Sequence, residues 1–357
     1  MTPNRTSLPH PPPYRTHRTH RARSVLRALV IVSCVPYVGL KTAWMAGSRL
    51  GIPDGSPLLD GGATLVIGNA ATVLMAGCVV VLALLLTRPW GLRTPAWLPA
   101  APMWAASGLL LPIMTAYPLQ MAVRLLGGDG GQTSGRDGGG GDPFLDPWVF
   151  GVVYGGFIVQ GLALGALFAL YAKGRWGHLW QGPLRELPET PASPALRVTA
   201  VAAALLAAAP GLAHLLWATG STAGLNEGRA AQRTSDFYVL EAVNALFVAV
   251  AVTGVLLLAF RRGGRLPLRT PLVLAWAGSA QVACWGGWLT LAALMGAGGT
   301  ADRPTTPMLL IYAVQMLVGG FIAVAGARFL AERAAASRVG APVAGAPGAA
   351  QTSGTRP

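Results

Sequence analysis

Apolar and polar positions along this chain segregate into blocks. Eight mainly apolar blocks, at 25–46, 62–87, 96–118, 148–172, 195–219, 237–260, 271–296 and 307–331, are separated by polar or glycine-rich stretches. A helix rising ~1.5 Å per residue needs ~20 residues to cross ~30 Å of hydrocarbon. In hydrocarbon a helix satisfies every backbone hydrogen bond within one segment. Each block therefore predicts one spanning helix, and the fold class is an all-α polytopic membrane helix bundle of about eight spans.

The pattern also repeats. The segment "LALLLTRPWGLRTP" in the second block matches "GVLLLAFRRGGRLPLRTP" in the sixth, and both close on Arg-Thr-Pro, at Arg93–Pro95 and Arg269–Pro271. In the first and fifth blocks "LKTAWMAG" matches "AHLLWATG", setting Trp44 over Trp217 and Gly47 over Gly220. In the fourth and eighth, Val159-Gln160 matches Val314-Gln315. Four spans per repeat is an even number, so both halves share one orientation. The expectation is two parallel four-helix repeats related by an axis along the membrane normal, with any site at the interface between halves.

Composition supports the membrane assignment. The chain is 53% hydrophobic and 11% charged, with a mean hydropathy of +0.50, whereas soluble domains carry about 25% charged residues. The net charge of +14 is distributed unevenly. Basic residues gather at Arg5 to Arg27, Arg88 and Arg93, Lys173 to Arg197, Arg261 to Arg269 and Arg328 onward, and most acids fall in the alternate loops. That asymmetry orients helices during insertion. It places both termini in the cytoplasm of a multi-pass plasma-membrane protein and argues against nucleic acid as the partner of the basic tail. Arg outnumbers Lys 25 to 2, which points to a GC-rich genome.

The expected organisation follows. Residues 1–24 are expected to be a disordered, Pro-rich basic tail in the cytoplasm, too polar to build a core and suited to resting on anionic lipid. The first repeat covers 25–172, with a flexible glycine-rich outer loop at 127–142. A cytoplasmic linker runs over 173–194, the second repeat over 195–334, and an Ala/Gly/Pro-rich disordered tail over 335–357. Trp44, Trp148 and Trp217 at one level and Trp90, Trp97, Trp176 and Trp180 at the other fit an aromatic belt. Pro118 is expected to mark the outer end of the third span, and Gly151/Gly155 and Gly161/Gly165 have the spacing for close helix approach.

Ionisable groups inside spans are costly and mark candidate sites. Here they are Lys41, His214 and Glu241. The repeat sets Lys41 on His214 and Asn69 on Glu241. At ~1.5 Å per residue, Lys41 lies roughly 9 Å below the outer end at Gly47, and the other three fall at similar levels. All four are expected to meet in one layer of the outer leaflet, with Lys41 or His214 pairing with Glu241. Three uses fit them: snorkelling toward headgroups, a structural ion pair, or a ligand or proton site. Gln160 and Gln315 form a second matched pair, either bundle glue or the lining of a polar pathway. Gln281 shows no clear partner. Cys34, Cys78 and Cys284 all fall within spans and read as packing residues.

No motif for phosphate binding, metal ligation or nucleophilic catalysis is present, since "GGDGGQTSGRDGGGGD" lacks the GK[ST] ending of a phosphate loop. The expectation is a non-enzyme without cofactor or metal. A small-solute carrier or permease leads, with a non-transporting scaffold or sensor partnering another protein as the alternative. The segment "PYVGLKTAWMAGSRLGIPDG" resembles a pattern in uncharacterised multi-span membrane proteins of actinomycetes. That resemblance implies membrane location and a Lys-x-x-Trp-x-x-Gly element at Lys41, Trp44 and Gly47, and carries no activity.

Overall fold

A computed structural model of the chain describes residues 13–60, 62–128, 145–184, 194–231, 233–295 and 302–339. Expectations for the first twelve residues, for 129–142 of the glycine-rich loop, for 185–193 of the linker and for the tail beyond 339 lie outside the described residues. Those described fold into nine α-helices, without a strand: α1 Pro13–Met45, α2 Gly62–Thr87, α3 Trp97–Leu125, α4 Pro147–Trp176, α5 Pro194–Ala218, the single turn α6 Glu227–Ala231, α7 Ser235–Phe260, α8 Arg269–Leu294 and α9 Thr306–Val339.

Three ends differ from expectation, one of them that of α9, which runs to Val339 and so carries 335–339, expected in the disordered tail, as helix. Helix α1 begins at Pro13, so residues 13–24 continue the first span as helix. Proline is well suited to that first position, where its missing N–H costs nothing. Helix α3 runs on to Leu125, with Pro118 inside it. The extension brings Gln120 and Arg124 onto α7, where Gln120 Nε2 donates to the Asp236 carbonyl at 3.0 Å and Arg124 pairs with the Asp236 carboxylate.

Seven of the helices are long and apolar enough to cross a membrane, all of the long ones except α8. Helices α2, α5 and α9 turn residues such as Leu74, Leu205 and Leu310 outward, the pattern of lipid-facing surfaces. These features mark a membrane protein. Helix α8 carries Gly278, Ser279 and Gln281 on its buried face, yet it exposes Val273, Leu291 and Leu294.

The two sets of long helices share part of a packing scheme. Helix α1 packs on α2 and α4, and α4 on α3; α5 packs on α7 and α9, and α9 on α8; but α7 packs closely on α8, whereas α2 only touches α3. The halves join where α3 lies against α8 and α7. Small residues make these contacts close. A Cβ at Gly108 of α3 would strike the Ala280 carbonyl of α8, and one at Gly278 of α8 would strike the Ala251 backbone of α7. A Cβ at Gly319 of α9 would likewise stand 2.5 Å from the Ser279 carbonyl. The α4 glycines behave differently from expectation. Of the four spaced glycines, Gly151, Gly155 and Gly165 face no neighbour and Gly161 meets Met114 of α3, while Gly156, outside both pairs, is the one where a Cβ would approach the Ser33 carbonyl of α1, at 3.2 Å. Spacing makes close approach possible, but a helix must lie on that face for it to happen.

Two features recur at matching positions. The loop after α1 and the loop after α5 fold alike. Trp44 Nε1 donates to the Leu50 carbonyl at 2.8 Å, and Trp217 Nε1 to the Ala223 carbonyl at 2.9 Å. Ser48 N bonds the Ala43 carbonyl and Ser221 N the Leu216 carbonyl, both at 2.9 Å. Gly47 and Gly220 both take positive φ, 89° and 102°, a conformation open to glycine without strain. Second, the α3–α8 seam is reciprocal. Trp104 Nε1 donates to Ser279 Oγ at 3.0 Å, and Trp276 Nε1 to Ser107 Oγ at 3.3 Å. The segments "WAASG" at 104–108 and "WAGSA" at 276–280 exchange the same bond, as the two sides of an isologous interface do.

Candidate functional site

The four candidate residues form two pairs, one in each half. In the first, Lys41 of α1 donates from Nζ to Asn69 Oδ1 of α2 at 2.9 Å. The ammonium also lies 4.8 Å from the Trp44 ring centroid and 5.6 Å from that of Tyr37. Ring faces carry negative charge density and stabilise a partly desolvated cation. Lys41 is thus held by an amide oxygen and two rings, and Asn69 Nδ2 is buried with no partner.

In the second pair, His214 of α5 meets Glu241 of α7, with Nδ1 and Oε2 2.5 Å apart. Both residues are 1% exposed. The other imidazole nitrogen, Nε2, lies 2.8 Å from Gln315 Nε2 of α9. An amide nitrogen only donates, so His214 Nε2 accepts and its proton sits on Nδ1, pointing at the carboxylate. The second carboxylate oxygen, Oε1, lies 3.6 Å from Arg229 Nη1. Arg229 belongs to α6, and its half-exposed side chain links the buried carboxylate to the loop surface. Asn226 sets that arginine in place: its Oδ1 accepts from Arg229 N at 2.9 Å, while its Nδ2 donates to the Asp302 carbonyl at 2.8 Å. Trp217 stands edge-on to the imidazole, with ring centroids 5.3 Å apart.

The single layer joining all four residues is not formed. Lys41 bonds Asn69, and among the described residues the ionic partners of Glu241 are His214 and Arg229. The physical reason is azimuth: residues at one depth meet only if their helices are neighbours, and α1 packs on α2 and α4, while α7 packs on α5, α8 and α3. Nor does the pair sit between the halves, since the seam there is closed by Gly108 against Ala280.

The matched glutamines also part company. Gln315 joins His214, whereas Gln160 Oε1 accepts from Cys34 Sγ at 3.5 Å, tying α4 to α1. Gln281 has a partner that the sequence did not reveal: its Nε2 donates to Asn244 Oδ1 at 2.9 Å, joining α8 to α7. Asn244 lies one turn beyond Glu241 on the same face. It was passed over because a lone short amide in an apolar run gives little signal. Arg229 gives no signal in the sequence because its short helix α6 lies outside the apolar blocks.

Chemically, the His214–Glu241–Gln315 network joins an imidazole, a carboxylate and an amide in one chain of hydrogen bonds. No group of three or more metal-ligating side chains accompanies it among the described residues. With one proton shared by the pair, Gln315 Nε2 donates to the imidazole. A second proton on His214 Nε2 requires an acceptor there, and Gln315 Oε1, now without a partner, becomes one when the amide turns over. No protein-family model, curated protein or solved structure matches this chain.

Proposed function

We propose that the chain is an eight-span protein of the plasma membrane, built of two parallel four-helix repeats with cytoplasmic termini, and that its second repeat senses protons at the outer face. Support for the eighth span comes from α8 itself, long enough to cross and apolar on its outward side. The repeat is supported by the recurring loops and the reciprocal α3–α8 bonds.

The function rests on one observation: a buried histidine holds a buried carboxylate at 2.5 Å, with an arginine leading from that carboxylate to the outer loop. Removing a buried partner strands the other charge, at about 3–5 kcal/mol. A change in proton content is therefore transmitted to helices α5, α7 and α9, which the network ties together. The output of such a device is a partner protein contacting these helices or the basic tails.

A carrier remains the second reading, favoured by the cost of keeping an ionisable pair inside a span at all. The closed α3–α8 seam favours the sensor. The distinguishing experiment uses the full chain in sealed vesicles containing a pH dye. On a drop in outer pH, the Trp217 component of fluorescence, taken as the difference from Trp217→Phe, should fall in the wild type and stay constant in Glu241→Gln, with no proton entry in either. Proton entry that Glu241→Gln abolishes would overturn the sensor in favour of the carrier. An unchanged Trp217 signal in the wild type without proton entry would remove both.

A further inference from the structure

At the opposite end of the first repeat, the start of α1 and the end of α2 enclose a cavity of about 300 Å³. Its wall includes His20, Arg23, Ser24 and Arg27 from α1, and Thr87 and Arg88 from the end of α2 and the turn after it. Arg23, Ser24 and Arg27 fall on one face through the three- and four-residue spacing of a helix. Arg23 also reaches α4, its guanidinium 3.9 Å from where a Cβ on Gly174 would stand.

No carboxylate lines the cavity, and the ion pairs found among the described residues involve none of its arginines. Three arginines line it without a carboxylate among them, and each guanidinium offers the planar fork that fits a phosphate. An anion of that shape supplies the counter-charge. The basic wall is not inherited from the repeat. In the register that superposes Trp44 on Trp217, Arg23 and Arg27 correspond to Leu196 and Ala200, which are buried apolar residues of α5. The first half thus carries charge where its counterpart carries core.

We propose that this cavity binds the phosphodiester headgroup of an anionic phospholipid. The helices that bound the cavity expose apolar side chains, Val25 and Leu29 on α1 and Val81 on α2, surface of the kind that acyl chains cover and that a free phosphate does not use. The cavity lies at the basic end of the helices, where such pockets meet anionic lipid. The inference shares the orientation of the spans with the functional reading and nothing else. It therefore survives failure of the proton sensor.

The test is native mass spectrometry of the full chain taken from bilayers of phosphatidylcholine alone or of equimolar phosphatidylcholine and phosphatidylglycerol. The wild type should retain phosphatidylglycerol and shed phosphatidylcholine. Each guanidinium removed should lower retention about fivefold, as expected for basic groups at an anionic surface. Arg23→Gln with Arg27→Gln should therefore lose far more than the exposed Arg88→Gln alone, a variant that leaves the helix contacts intact. Arg262→Gln with Arg265→Gln, at the matching end of the second half, should retain lipid as the wild type does. Equal retention of both lipids, equal loss in the two double variants, or full displacement by inorganic phosphate would each overturn the lipid site, the last by making it a site for free anion.

Discussion

At the scale of single residues, the sequence marked polar side chains that are buried or partly buried, and not which of them meet. Matching Trp44 to Trp217 sets Lys41 in register with His214, and the two runs of three leucines set Asn69 with Glu241. The structure pairs them within each half, at 2.9 and 2.5 Å. A pairing of Lys41 with Glu241 required α1 and α7 to be neighbours, which hydropathy cannot encode. The difference is measurable by double-mutant cycles on unfolding in detergent. Lys41→Met and Glu241→Gln should add to within about 0.5 kcal/mol, as independent sites do, whereas His214→Gln and Glu241→Gln should show a coupling of about 0.5–3 kcal/mol. A large Lys41–Glu241 coupling would mean that the two halves share a charge network after all.

The same scale separates two kinds of buried amide. Gln315 bonds an imidazole, which is the titratable group of the proposed sensor, and Gln281 bonds Asn244, another amide. Gln315→Leu should therefore alter the pH at which the Trp217 signal changes, because the neutral imidazole loses its donor and the protonated one loses its acceptor. Gln281→Leu leaves that midpoint where it was and costs about 1–3 kcal/mol by stranding Asn244. A pH midpoint that moves equally in the two variants would tie the signal to helix packing and not to His214.

At the scale of helices, the glycines show what a pattern leaves open. The spacing on α4 is the one associated with close approach, yet Gly155 faces no neighbour, while Gly278 on α8 lies against the Ala251 backbone. A helix with glycines on one side still needs a partner there, and only the tertiary arrangement supplies it. Gly278→Leu should fail to give a folded, monodisperse protein, since backbone cannot move aside as a side chain can. Gly155→Leu should express and unfold within about 1 kcal/mol of the wild type, in the range of ordinary exposed changes. Size-exclusion profiles in detergent followed by thermal melts decide both. Helix α8 also explains why seven helices, and not eight, stand out by hydropathy. Its buried side is made of Gly278, Ser279 and Gln281, residues chosen by neighbours on α3, α7 and α9. A helix enclosed on three sides does not have to be apolar all round.

At the scale of the whole molecule, the seam between α3 and α8 carries the argument for topology. Trp104 bonds Ser279 and Trp276 bonds Ser107, and Gly108 meets Ala280 one residue further along. Corresponding residues meet at one level, which requires the two helices to run side by side at the same depth. On this ground we propose that α8 crosses the membrane beside α3, which sets the loops at its two ends on opposite faces. In a background with Cys34, Cys78 and Cys284 replaced by Ala, a cysteine at Gly264 should be protected from an impermeant maleimide added outside intact cells. One at Arg303 should react. Labelling of both from outside would leave α8 on one side, and the reciprocal bonds would then have no parallel-repeat explanation. With α8 across, Trp104→Phe and Trp276→Phe should each cost about 0.5–1.5 kcal/mol and cost the same. Each variant removes one of two equivalent bonds and leaves a serine that its own helix can satisfy, as Ser107 already does by donating to the Met103 carbonyl at 2.7 Å and Ser279 by donating to that of Trp276 at 3.2 Å.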